Sequence, residues 1–122
     1  MDDEADFRFM VRTALELAGV KDVHEAADAR QAQRLAGELR PDVVLLDNVM
    51  PGEPGLDSLV RLREVAPTAT VIFQTVDAEM AASYEGHPRG PDGFVEKGLA
   101  PSQLTSRIFA IVRRHKEGVV ST

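Results

Sequence analysis

An α/β fold with a doubly wound, mostly parallel sheet is what this chain predicts, and three observations carry that reading. Apolar runs at Val43-Val44-Leu45-Leu46, Val71-Ile72-Phe73 and Phe94-Val95 are too short for helices and too continuous for one-sided strands, so they read as strands covered on both faces. Stretches with helical periodicity separate them, and strands alternating with helices imply right-handed crossovers between parallel neighbours. A reactive or charged side chain closes each strand region: Asp47 the first, Thr75 the second, Lys97 the third. At the C-terminal rim of an open parallel sheet, such residues meet in one crevice although they are scattered in sequence.

Along the chain, Phe7, Met10, Val11, Ala14 and Leu15 fall on one helical stripe that Gly19 is placed to end, giving a first helix over about residues 6–18. Residues 20–25 read as a short edge strand. Asp28 with Gln31 resembles a capping box, and Ala32, Leu35, Ala36 and Leu39 supply the stripe of a second helix that Pro41 stops. After the first apolar run, residues 47–55 hold enough Pro, Gly and Asn for a loop, and Leu56, Leu59, Val60 and Arg63 mark a third helix. Residues 77–84 could begin a short fourth helix, but Gly86, Pro88, Gly90 and Pro91 cannot continue one. Pro101 suits the first turn of a final helix with Leu104, Ile108, Ile111 and Val112 on one face, and residues 116–122 read as a frayed tail.

Composition excludes several classes of function. A chain of 122 residues, 43% of them hydrophobic, is one domain with room for a core and none for a second domain. A formal net charge of -6 argues against gripping duplex nucleic acid, which needs clustered cations. The absence of cysteine removes disulfides, thiol catalysis and Cys-zinc sites. No apolar stretch approaches a membrane span, and an acidic start is the opposite of a signal peptide, so a cytoplasmic protein is expected.

Transfer of a phosphoryl group to a carboxylate requires a divalent ion, carboxylates to hold it, and a cation and a hydroxyl for the remaining oxygens. Asp2, Asp3, Asp47, Thr75 and Lys97 make up that inventory. On these residues the chain resembles the receiver domain of bacterial two-component response regulators over essentially its whole length. Pro41-Asp42-Val43-Val44-Leu45-Leu46-Asp47, then Met50-Pro51 and Gly55, is similar to the family's phosphoacceptor segment, and Asp2-Asp3-Glu4 to its acidic pair. The resemblance implies a flavodoxin-like fold, phosphorylation on Asp47, and Mg2+ held by Asp2, Asp3, Asp47 and the Val49 backbone carbonyl. It makes Thr75 the switch hydroxyl, Lys97 the lysine that bridges to the phosphoryl group, and Phe94 the switch aromatic. A histidine kinase or phosphotransfer protein is the implied donor, and self-dephosphorylation is expected to depend on Val49 and Asp77.

The chain also departs from the family pattern. Val76 is bulkier than the small residue many relatives have there, Gly98 replaces a proline, and Phe94 lacks the hydroxyl of the commoner tyrosine. The apolar strand that should precede the acidic pair is missing. A GTG valine codon read as a start and written as Met1 is one explanation, in keeping with eleven arginines against three lysines and fifteen alanines. In receiver order that strand lies between the second and third, so its loss is expected to displace the acidic pair and to favour a rearranged sheet or a homodimer or larger assembly.

Taken singly, each residue has an ordinary reading: an Asp at a strand end is commonly a turn or cap, Lys97 a surface lysine, Thr75 a strand threonine, Phe94 plain core. The acidic trio could be a solvated terminus. Their conjunction favours a receiver, N-terminally truncated and without an output domain. His24, His87 and His115 lack ligand spacing and are given no role, and Arg113-Arg114 reads as a solvated helix end. Two alternatives stand beside the receiver: a pseudo-receiver that binds a partner without phosphorylation, and a phosphohydrolase resembling the haloacid dehalogenase group. The second needs an acid two residues after the nucleophile, where this chain has Val49.

Overall fold

In the computed structural model the elements run α1 (Asp3–Leu17), α2 (Ala29–Leu39), β1 (Val43–Asp47), β2 (Val49–Met50), β3 (Glu53–Pro54), α3 (Gly55–Val65), β4 (Thr70–Thr75), β5 (Gly93–Glu96) and α4 (Pro101–Glu117). The structure describes residues 3–26, 29–47, 49–50, 53–75, 79 and 90–117, with the backbone alone at 3–5, 29, 47, 49–50, 53–56, 58 and 116–117. The expected fourth helix, Val76 and Asp77 lie outside these residues, apart from Glu79, which is helical.

β1, β4 and β5 form a parallel sheet in that order. Their apolar runs alternate between two covered faces, as a doubly wound sheet requires. Leu46, Val71 and Phe73 enter one core with Ala36 of α2, Leu59 and Leu62 of α3 and Ala66 just after it, and Val44 packs against it. Ile72 and Val95 enter the other with Val11 of α1 and Leu104, Ile108 and Ile111 of α4, joined by Val43 and Leu45. The stripes read from sequence for α1 and α4 are the faces that do this packing, whereas in α2 and α3 Leu39 and Val60 of the expected stripes are exposed and Leu62 enters the core instead.

Local chemistry sets the ends of the helices. Gly19, at a φ of 100°, closes α1 as expected: its N–H donates to Glu16 O and the Val20 N–H to Leu15 O, the paired bonds of a Schellman motif. Pro101 opens α4, where the Gln103 side chain accepts the Ala100 N–H at 3.2 Å. Gly93 lets α4 lie close on β5, because a Cβ there would stand 2.8 Å from Ile111 side-chain carbons.

Three expectations need correction. Residues 20–26 form no strand. A strand requires a neighbour for its backbone ladder, and among the described residues the edge of β1 away from β4 has none to offer. Ion pairs hold the segment instead: Glu25 lies 3.2 Å from Arg12 and 3.6 Å from Arg8. The hydrogen bond to Glu25, with the charge of Glu16, raises the Arg12 pKa above its ordinary value. Secondly, α1 starts at Asp3 rather than near residue 6. Thirdly, the loop after Asp47 contains an antiparallel pair, Val49 with Pro54 and Met50 with Glu53. Two residues a side is too short a run for periodicity to reveal, and turn formers dominate the stretch.

Candidate functional site

The C-terminal ends of the three parallel strands bring the candidate residues to one rim of the sheet. Asp47 ends β1 in register with Gln74, and Thr75 ends β4 in register with Glu96 of β5. One residue further, the Lys97 N–H donates to Thr75 O at 2.9 Å, extending the ladder and fixing the lysine backbone beside the threonine. Each is delivered by a strand that the apolar core holds from both faces, so their backbones are set by the most buried part of the fold. Thr75 is itself buried at 2% exposure.

The ammonium of Lys97 lies 5.4 Å from the centroid of the Phe7 ring, over its face. Phe7 packs against the α1–α4 core, and it sits one turn after Asp3 on α1. From sequence Phe7 was legible only as part of an apolar stripe. An aromatic one turn past an acidic pair is the only signal that could have marked it.

Phe94 is half-buried and packs against the α2–α3 core. The Arg107 guanidinium stands 5.7 Å from its ring centroid, and Arg107 Nε donates to Phe94 O at 3.4 Å. Both readings of Phe94, core residue and switch, therefore remain compatible with its position. The Val49 backbone belongs to β2, two residues past Asp47. Asp2 and the side chains of Asp3 and Asp47 lie outside the described residues, and among those described no three His, Asp or Glu side chains gather as a metal would require.

A second polar cluster lies at the opposite rim, where sequence reading gave His115 no role. Its Nδ1 is 2.7 Å from Thr70 Oγ1 and its Nε2 is 3.4 Å from Asp92 Oδ1. Asp92 Oδ2 accepts the Val71 N–H at 2.9 Å and faces Arg63 Nη2 at 3.4 Å. With its own N–H on Val71 O, Asp92 continues the β4–β5 pairing through a side chain. No spacing rule announces such a cluster, because its members come from four separate segments.

Similarity to known proteins agrees with the geometry. The family model for the response regulator receiver domain matches residues 1–109. The phosphate regulon transcriptional regulatory protein PhoB of Pseudomonas aeruginosa is 33% identical over 120 residues, 97% of this chain and 52% of that protein. Chemotaxis protein CheY of Thermotoga maritima is 29% identical over 88% of this chain and 90% of its own length. Among solved structures, the receiver domain of NtrX from Brucella abortus superposes with a TM-score of 0.78 at 27% identity, covering 92% of this chain and 94% of that one. The chain thus spans about half the length of its PhoB relatives and nearly all of a CheY. Among the described residues no helix is long and apolar enough to cross a membrane. A family match over most of the chain, on a parallel sheet whose strands end at Asp47, at Thr75 and just before Lys97, makes this chain a member of the response regulator receiver domain family, the phosphoacceptor module of two-component signalling.

Proposed function

We propose that Asp47 is the phosphoacceptor and that Thr75 and Lys97 serve it. The observation carrying this reading is that Asp47 and Thr75 end adjacent parallel strands and Lys97 directly follows the third, bonded through its backbone to Thr75. An Asp47 carboxylate oxygen forms the new O–P bond while the N–P bond of a phosphohistidine donor breaks and its electron pair returns to the imidazole. The Lys97 ammonium and the Thr75 hydroxyl then meet phosphoryl oxygens, and their pull on Thr75 and on the packing of Phe94 shifts the population of two conformations. Water attack at phosphorus later releases inorganic phosphate and restores the carboxylate, at a rate set in part by Val49 and Asp77. No external substrate is turned over.

The donor set of Asp2, Asp3, Asp47 and the Val49 carbonyl is all oxygen, the chemistry that suits Mg2+. Mg2+ would neutralise phosphoryl charge there. A histidine kinase or phosphotransfer protein in the cytoplasm is the proposed donor, and the acidic chain makes no direct contact with nucleic acid. The test is phosphorylation by acetyl phosphate and Mg2+, read by intact mass, with Asp47→Asn as the control. A folded protein that gains no phosphate supports the second reading, a pseudo-receiver.

A further inference from the structure

Lys97 reaches the site from a fixed backbone, but four rotatable bonds lie between its Cα and its ammonium. The bond from its N–H to Thr75 O therefore places the root of the side chain and not the charge. At 5.4 Å from the ring centroid, the ammonium sits within cation–π range of Phe7. Phe7 is in turn held by the α1–α4 core cluster of Val11, Ile72 and Val95.

We propose that Phe7 is a positioning residue for Lys97, holding the ammonium at the rim where the phosphoryl group arrives. The inference rests on reading Lys97 as the cation that meets that group. The chemistry of an aromatic face suits the task. A phenyl ring attracts the cation through its quadrupole and accepts no conventional hydrogen bond, so it adds to the hold on the ammonium without occupying an N–H donor. The ring also links the two sides of the site. Phe7 is one turn from Asp3 on α1, whereas Lys97 follows β5, so the contact ties the acidic start of the chain to the lysine. Leucine at position 7 would keep the apolar packing and lose the quadrupole, and tyrosine would keep both.

The test uses the full chain as wild type, Phe7→Leu, Phe7→Tyr, Lys97→Ala and the Phe7→Leu/Lys97→Ala double variant. Initial rates of phosphorylation by acetyl phosphate with Mg2+ are read by intact mass, and the Lys97 side-chain methylene protons by NMR. Phe7→Leu is expected to slow phosphorylation about two- to fivefold, the scale of an exposed cation–π contact. Phe7→Tyr should stay at the wild-type rate, and on the Lys97→Ala background Phe7→Leu should have no further effect. The Lys97 methylene protons should be shifted upfield by the ring in wild type and Phe7→Tyr, and not in Phe7→Leu. A Phe7→Leu rate equal to or above wild type overturns the proposal, as does equal slowing by Leu and Tyr, or the same loss without Lys97. If the folded wild type takes no phosphoryl group, the phosphoacceptor reading fails by itself, and the methylene shifts alone decide whether Phe7 holds Lys97. Ring-shifted protons restored to ordinary values by Phe7→Leu uphold the contact, and unshifted protons in wild type sink it.

Discussion

Thr70 and His115, 45 residues apart, share a 2.7 Å hydrogen bond between Oγ1 and Nδ1. It ties the last turns of α4 to the start of β4, at the rim opposite Asp47. Thr70 is 1% exposed with the imidazole in place, and the His115 side chain is 27% exposed, so removing the ring opens a path for water to the hydroxyl. His115→Ala should destabilise the domain by about 0.5–1.5 kcal/mol, the net contribution of a typical hydrogen bond. Replacing both partners, as Thr70→Val with His115→Phe, should cost less than the sum of the single changes. Urea unfolding of the four proteins measures this, and additive losses would show that the bond contributes nothing.

Phosphorylation should occur once per chain and disappear in Asp47→Asn. The amide has nearly the carboxylate's shape but neither its charge nor its nucleophilicity, so folding should survive while the mass adduct is lost. A persistent adduct in Asp47→Asn would move the acceptor to another residue.

Magnesium should raise the melting temperature if the carboxylates assemble a site. At about tenfold excess over Kd the stabilisation is about 1.4 kcal/mol, worth a few degrees for a domain of this size. Asp3→Ala should diminish the shift. Equal melting temperatures with and without millimolar Mg2+ would locate the fault at the start of the chain.

The sheet was legible in the sequence because its strands are buried on both faces, which leaves runs such as Val43 to Leu46 with no polar residue among them. Helix ends were legible where one residue type dictates geometry, as Gly19 does after α1 and Pro101 does before α4. Residues 20–25 were misread because strand character was judged locally, whereas a strand exists only with a neighbour. The placement of Asp47, Thr75 and Lys97 at or just past strand ends was legible because Asp47 directly follows an apolar run and one polar residue separates each of the others from its run. The partners Phe7 gives to Lys97 and His115 gives to Thr70 depend on tertiary packing and leave no pattern along the chain.

Gly93→Ala should destabilise the fold, because the added methyl would stand 2.8 Å from two carbons of Ile111, which is 1% exposed and cannot swing into solvent. Overpacking of this kind typically costs about 1–3 kcal/mol. Trimming the obstacle gives the check: Ile111→Val should recover part of the loss in the Gly93→Ala background, although it is destabilising alone. If the double variant is no more stable than additivity predicts, the close approach of α4 to β5 is not what requires the glycine.

The outer edge of β1 leads to the last expectation. Thr70 N–H donates to Asp42 O, so in a parallel ladder the amides of Val43 and Leu45 alternate away from β4. Among the described residues no strand meets them there. Unpaired edges recruit other strands, and this one is apolar on both faces, which favours pairing over exposure to water. Asp42 and Asp47 flank the edge and repel a second acidic edge, so salt should strengthen self-association by screening them. We expect a homodimer or larger assembly that forms more readily as ionic strength rises, with slowed hydrogen exchange at Val43 and Leu45 in the associated state. Sedimentation across a concentration series, paired with exchange at those two amides, measures both. A monomer at every concentration and salt, or association that leaves both amides unprotected, would exclude this edge as the contact.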